Sequence, residues 1–227
     1  MENNTNLFSG KAEAYANARP TYPDTALDYI VALFPTNAVI ADIGAGTGKL
    51  SLLLAQRGYG VFAVEPNNDM REILIRTLAP FPNARVISGT AENTTLPSGS
   101  IDVITCAQAL HWFAPNEFRA ECLRIGKNGV LVAAVYNIMP NGSSVSHSKQ
   151  STDVFFTSPT VQAFPNTQFY TRERWLTYMT SHSRDPLPSD EGYDCHIKEM
   201  GEVFEQESVD GLLRRDVVTY IYSEVVI

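Results

Sequence analysis

A chain of 227 residues, 44% hydrophobic and 19% charged, has the length for one large α/β core and is cramped for two. Its formal charge of −8 speaks against a nucleic-acid partner, which needs a basic face. No run reaches the roughly 20 apolar residues that cross a membrane, and the polar start MENNTNLFSGKAEAY lacks a signal peptide's basic-then-apolar layout. No membrane partner and a cytoplasmic location are therefore expected. Cys106, Cys122 and Cys195 form neither a CxxC pair nor an even set, which predicts reduced thiols. The histidines show no ligand spacing, so no metal is expected.

In chain order, residues 1–23 are a polar lead-in ending in RPTYP, whose prolines fix an extended or turn conformation. Asp24 is placed to cap a helix running through Phe34, with Ala26, Leu27, Ile30, Val31 and Phe34 on one apolar stripe. Ala38–Ala41 reads as a buried strand entering a glycine turn, and Leu50–Ala55 as a helix ending near Gly58. Strands follow at Gly60–Val64, Arg85–Ser88, Ile101–Cys106 and Gly129–Tyr136, with helices around Met70–Leu78 and Glu117–Ile125. Such alternation with short connections predicts a parallel sheet covered by helices on both faces. The pattern breaks at Asn137. Residues 138–168 are rich in Ser, Thr, Asn and Pro with little periodicity, which suits a lid or binding insertion. Helices near Arg172–Met179 and Glu191–Phe204 and a strand around Val217–Val225 complete the chain, read as one domain.

The segment ADIGAGTGK (Ala41 to Lys49) carries the strongest chemical signal. Gly44, Gly46 and Gly48 alternate, and Lys49 stands where the third glycine of the dinucleotide-fold GxGxxG would fall. Glycines permit a ligand's close approach and positive φ, and a helix starting near Thr47 offers free N–H groups to an anionic moiety. Asp42, at the strand's edge, is placed to meet a cation or an amine. Glu65 alone would read as a solvated strand end. At this distance from the glycine loop it suits the two hydroxyls of a ribose, with Met70 beyond it positioned to pack on a flat base.

Three segments, DIGAGTG, VFAVEPNNDM and GTAENTTLPSGSIDVITCAQALHWF, resemble the successive cofactor-binding segments of class I S-adenosylmethionine-dependent methyltransferases. Within that superfamily the likeness is to the type 11 group that includes trans-aconitate methyltransferase-like proteins. Lys11–Tyr15 and Arg19–Pro23 resemble that group's N-terminal lid. The resemblance is specific over residues 8–136, weak over 138–190, and returns over 210–222.

The resemblance implies a Rossmann-like, doubly wound, mostly parallel seven-stranded sheet with a substrate-side insertion at 138–190. It implies S-adenosylmethionine as cofactor and S-adenosylhomocysteine as product. Gly44, Ala45, Gly46, Thr47 and Gly48 would hold the methionine part, with Asp42 helping the ammonium. Glu65 would bind the ribose, and Pro66 and Met70 would flank the adenine. Ala91 would offer a backbone contact and Glu92 an acceptor for the exocyclic amine, while Ala107 and Gln108 would contact the methionine amine. Tyr15 and Arg19 would close the lid, Arg19 pairing with the carboxylate. His111 and Trp112 would border a small-molecule acceptor.

Several of these residues carry a second reading. Trp112 suits core as well as pocket wall, His111 packing as well as base catalysis, and Glu92 a surface turn. Tyr15 and Arg19 suit a staple of the N-terminal segment, and Phe155, Phe156, Tyr170 and Trp175 suit either packing or an acceptor pocket. Methyl transfer is an in-line displacement needing no covalent intermediate, so proximity supplies much of the catalysis. A carboxylate acceptor would need no base but would need cations, for which Lys149, Arg172 and Arg174 are at hand. A hydroxyl or amine would make His111, Tyr15 or Tyr136 a base or orienter. The competing readings are a non-catalytic cofactor-binding scaffold and an NAD-dependent oxidoreductase. Against the latter stand Lys49 and the lack of a hydride-transfer constellation.

Overall fold

The computed structural model describes residues 8–139 and 144–227, with the backbone alone for 144–149. The first elements are α1 (Ala12–Ala18), α2 (Asp24–Ala32), β1 (Val39–Ile43), α3 (Lys49–Gln56), β2 (Gly60–Val64), α4 (Asn68–Leu78) and β3 (Ala84–Ile87). They are followed by β4 (Ile101–Ala107), a short 3-10 turn (Leu110–Trp112), α5 (Pro115–Ile125), β5 (Gly126–Ile138) and α6 (Ser144–Phe155). The chain closes with β6 (Thr160–Pro165), β7 (Gln168–Tyr170), α7 (Arg172–Met179), α8 (Tyr193–Glu207), β8 (Leu213–Arg215) and β9 (Val218–Val226).

Seven strands form one sheet in the order β3-β2-β1-β4-β5-β9-β6. Strands β1 to β5 pair parallel, and β9 runs antiparallel to both of its neighbours. Side chains alternate across the pleat, so Ile40, Val103 and Ala133 join α2, α3 and α4 in one core layer. Ala41, Ile104 and Ala134 face the other layer, with α5 and the end of α6. A third apolar cluster joins Ala18 of α1 to Tyr170, Trp175, Tyr178, Phe204 and Leu213, outside the main sheet. Among the described residues no helix is long and apolar enough to cross a membrane.

The stretch 138–168 differs from its reading as an unpatterned loop, because it contains α6 and the sheet's edge strand β6. Thr160 to Ala163 of β6 are exposed, so no apolar alternation marks the strand. Its order comes instead from pairing with β9, Thr160 opposite Ser223 through Pro165 opposite Val218. The elements outside the sheet, β7, α7, α8 and β8, begin after β6.

Strand order reverses between β1 and β4, the point where an open α/β sheet leaves a crevice beyond its carboxyl ends. The glycine turn, the end of β2 and the end of β4 all open there.

Candidate cofactor and acceptor site

The site begins where β1 ends. Gly44 has φ +67°, and a Cβ there would lie 2.8 Å from the Ala109 methyl, so glycine lets the segment after β4 pack onto the turn. Gly46 has φ +58°, and a Cβ on it would meet nothing within 4 Å, because it would stand in the cavity. The turn is tied to β2 by Gly44 and Ala45 N–H bonds to the Val64 carbonyl, 2.9 and 3.0 Å. Gly46 N–H also donates to Glu65 Oε2 at 2.8 Å, while Asn67 N–H donates to Oε1 at 2.8 Å. Burial raises the Glu65 carboxyl above its ordinary value, against these two backbone donors, which lower it. Two engaged oxygens still leave lone pairs for further donors. Asn67 caps α4 by accepting from Met70 N–H at 3.0 Å, which fixes Met70 beside Glu65.

Beneath the turn lies Asp42, 1% exposed. It accepts from the Ser51 hydroxyl and, at 2.9 Å, from that of Thr105, and burial raises its carboxyl to about 6. Its carboxylate faces α3 and β4, and Asp42 is not among the described residues that line the cavities below. Thr47 and Gly48 likewise stay out of the cavity walls, and α3 begins at Lys49, with Gly48 as its left-handed cap.

A cavity of about 150 Å³ opens over the turn. Its walls bring together Tyr15, Gly44, Gly46, Glu65, Pro66, Met70, Ala91, Glu92, Ala107 and Gln108. Glu92 accepts from Ala114 N–H at 3.0 Å, at the start of α5. Gln108 takes φ +56° at the end of β4, an uncommon conformation for a residue with a side chain. Its amide donates to the Asn137 carbonyl at 3.0 Å. Phe8, Thr90, Ala109 and Phe113 also line this cavity. Thr90, Ala109 and Phe113 lie within the segment GTAENTTLPSGSIDVITCAQALHWF without having been singled out, and Phe8 lies outside the quoted segments. A narrow cleft beside it is walled by Arg19, Ala45, Lys49 and Tyr22, with Tyr15 and Gln108 shared. Burial lowers the Lys49 ammonium to about 8, and Lys49 donates to the Ala16 carbonyl of α1 at 2.8 Å.

A larger cavity of about 360 Å³ adjoins these and shares Phe8, Tyr15, Gln108 and Trp112 with the first. His111 lines it, its ring 4.6 Å from that of Trp112 and 6.1 Å from that of Tyr136. The Arg19 guanidinium lies 5.1 Å from the Tyr15 ring and 5.2 Å from the Tyr178 ring, donates to the Ser181 carbonyl at 3.2 Å, and keeps a buried Nε without a partner. Burial pushes the Tyr15 and Tyr136 phenols above their ordinary values, which keeps both protonated at neutral pH, donors rather than bases. Trp175 lines this cavity, whereas Phe155, Phe156 and Tyr170 are buried packing. Among the described residues, neither Arg172 nor Arg174 lines this cavity. Arg172 pairs with Glu205, and Arg174 lies over the Tyr170 ring; the Lys149 side chain falls outside the described residues. Among the described residues no group of three or more His, Cys, Asp or Glu is placed to hold a metal.

A glycine turn at the reversal point of this sheet faces a buried acid at the end of β2, on the wall of the cavity that opens there. Residues 41–134 match the family described as a methyltransferase domain. The chain is 37% identical to an uncharacterized methyltransferase of Mycobacterium tuberculosis over 131 residues, 57% of this chain and 51% of that protein. It is 32% identical to one of Schizosaccharomyces pombe over 130 residues, 56% and 51% of the two chains. The chain thus spans about half the length of the curated relatives it matches. Among solved structures, a protein of Anaeromyxobacter dehalogenans assigned as a type II methyltransferase superposes with a TM-score of 0.63 at 21% identity, over 92% of this chain and 98% of that one. Phosphoethanolamine N-methyltransferase 2 of Haemonchus contortus, solved with S-adenosylhomocysteine and phosphomonomethylethanolamine, superposes with a TM-score of 0.57 at 14% identity, over 98% and 57%. These likenesses reach the methyltransferase class and stop short of the trans-aconitate subgroup.

Proposed function

We propose that the chain is an S-adenosylmethionine-dependent methyltransferase that acts on a small molecule held in the larger cavity. The observation that carries this reading is Glu65, 6% exposed and held by the Gly46 and Asn67 N–H groups on the wall of the cavity over the glycine turn. A buried carboxylate in that place suits a pair of ribose hydroxyls, and the empty space at the Gly46 Cβ position suits a ligand lying against the backbone. S-adenosylmethionine supplies, when bound, a methyl group activated on a sulfonium.

The chain's own residues hold and orient it. Glu65 accepts from the ribose, Pro66 and Met70 flank the base, and Ala91 and Glu92 border the base's polar edge. The turn from Gly44 to Gly48, with Ala107 and Gln108, receives the methionine part, and Asp42 stiffens that turn from beneath. Tyr15 and Arg19 close the lid, the unpartnered Arg19 Nε being a donor suited to a carboxylate. His111 and Trp112 border the acceptor. Catalysis then rests on placing the acceptor atom in line with the methyl group.

Calorimetric titration with S-adenosylmethionine, S-adenosylhomocysteine and NAD, on the wild type and Glu65→Ala, tests this. Both adenosyl ligands are expected to bind, NAD is not, and the variant is expected to bind weakly. NAD binding with no response to S-adenosylhomocysteine would restore the oxidoreductase. Tight cofactor binding with no turnover across hydroxyl, amine and carboxylate acceptors would leave the scaffold.

A further inference from the structure

Beyond the cofactor, the larger cavity contains an acid–base pair that no motif announced. His182 lines it, in the turn after α7, and its Nδ1 lies 2.7 Å from Asp185 Oδ2. Asp185 accepts from the His182 backbone N–H as well, at 2.9 Å, so the carboxylate is fixed to both ends of that residue. A carboxylate at Nδ1 sets the neutral ring as the Nδ1–H tautomer and leaves the Nε2 lone pair available. Among the described residues Nε2 has no hydrogen-bond partner. The Tyr178 ring packs edge-on against the imidazole with centroids 4.9 Å apart, which fixes the ring plane. An imidazole oriented by a carboxylate on the wall of a cavity, with its second nitrogen unengaged among the described residues, is the arrangement of a general base.

The charges around the pair give the chemistry a direction. Burial lowers the His182 imidazole below its ordinary value, Asp185 raises it, and Arg19 and Lys11 lower it further, so the ring is neutral at physiological pH. Burial raises Asp185, but its bonds from His182 outweigh this and keep it ionised. Lys11 Nζ is spent on the carbonyls of His182, Ser183 and Asp185. Among the described residues that line the cavity, Arg19 carries the permanent charge and none is Asp or Glu.

This composition selects an acceptor. An ammonium acceptor would find no carboxylate on the wall. A carboxylate acceptor would need no base. The walls are dominated by rings, those of Phe8, Tyr15, Trp112, Trp175 and Tyr178, which favour a flat partner. An aliphatic hydroxyl is a far weaker acid than a phenol and gives up its proton less readily to an imidazole. A phenol, at about 10 like tyrosine, lies within reach when the proton leaves as the new bond forms.

We propose that His182, held by Asp185, is the general base of this site and that the acceptor is a hydroxyl-bearing aromatic small molecule. His182 Nε2 takes the phenolic proton, and the oxygen forms its bond to the methyl carbon. The carbon–sulfur bond of the sulfonium donor breaks, its electron pair staying on sulfur. Asp185 stabilises the imidazolium until it releases its proton to water, to which the His182 side chain is 34% exposed. This proposal rests on the methyltransferase reading above.

The test uses the full chain with S-adenosylhomocysteine added, and 4-nitrophenol and benzoate as probes. Calorimetry first establishes S-adenosylhomocysteine binding to the wild type, to His182→Asn and to Asp185→Asn. The visible band of the nitrophenolate ion is then read at a pH below the free probe's own ionisation. In the wild type, bound 4-nitrophenol is expected to show the ionised band above its free level. His182→Asn, which keeps a polar amide in place of the imidazole, is expected to bind S-adenosylhomocysteine as the wild type does and to lose the band. Asp185→Asn is expected to weaken it. If the band persists in His182→Asn, or benzoate binds and 4-nitrophenol does not, the base and its acceptor class are overturned while the methyltransferase reading stands. If S-adenosylhomocysteine does not bind the wild type, both fall together.

Discussion

Two buried acids, Asp42 and Glu65, show how far a residue's role follows from what surrounds it. Both were legible in the sequence as acids near a glycine turn, but only the structure separates them. Asp42 is enclosed by the hydroxyls of Ser51 and Thr105, whereas Glu65 stands on the cavity wall. For Asp42 the folded value of about 6 lies above the ordinary 3.8, so the folded protein binds the extra proton and stability falls as pH rises through that window. A shift of about two units corresponds to roughly 3 kcal/mol. Asp42→Asn is therefore expected to flatten this part of the stability-versus-pH curve and to gain on the wild type above pH ~6. Denaturant unfolding of both across the window would show it, and equal slopes would mean that Asp42 is not the group responsible. Glu65→Gln removes a charge but keeps the shape, and a charged hydrogen bond is worth about 1.5–3 kcal/mol. Affinity for S-adenosylhomocysteine is expected to drop about 10- to 100-fold by calorimetry. Phe8, Thr90, Phe113, Met139 and His182 were not legible as site residues. Phe8, Met139 and His182 reach a cavity from elements without a motif, and Thr90 and Phe113 sit in a motif segment whose pattern does not say which of its side chains face the cavity.

At the scale of elements, α1 is held by its neighbours more than by itself. It is short, its N-cap Lys11 makes no side-chain capping bond, and an isolated helix of this length is unstable in water. Its order comes from tertiary bonds: Gly10 N–H to Asp69, Lys49 to the Ala16 carbonyl, and Lys11 to the turn after α7. Lys11 is 4% exposed, so its removal takes a donor from three part-buried carbonyls. Lys11→Met is expected to raise amide exchange across 11–18 while β1 and β4 keep their protection. Unchanged exchange in α1 would show that Lys49 and Asp69 suffice. The sequence presented this segment as a polar lead-in, because a helix stabilised from outside carries no strong pattern of its own. The same reason hid β6, whose exposed face gives no alternation, and α6, which is rich in Ser and Thr. The strands β1, β2, β4 and β5 were legible because both their faces are covered and they read as apolar runs.

For the whole molecule, the sheet is closed by its last strand. β9 lies between β5 and β6 and pairs along its length with Val130–Ile138, a segment far away in sequence. The reversal point between β1 and β4, where the site opens, is two strands away, so stability and ligand binding should be separable. Ile221 pairs with Val135 on one side and Gln162 on the other, is 1% exposed, and packs in the layer with α2 and α3. Ile221→Ala leaves a cavity between neighbours that cannot follow it inward, at a cost of about 2–5 kcal/mol. Ile227, one residue past β9, is 86% exposed, and Ile227→Ala is expected to stay within about 0.5 kcal/mol of the wild type. Urea unfolding gives both values. For Ile221→Ala the midpoint is expected to fall with an unchanged m-value, and S-adenosylhomocysteine affinity, measured where the variant is still folded, should match the wild type. A matching loss of affinity would mean that β9 and the crevice are coupled through β5, whose last residues lie beside the Gln108 turn, and that the closing strand helps to hold the site as well as the sheet.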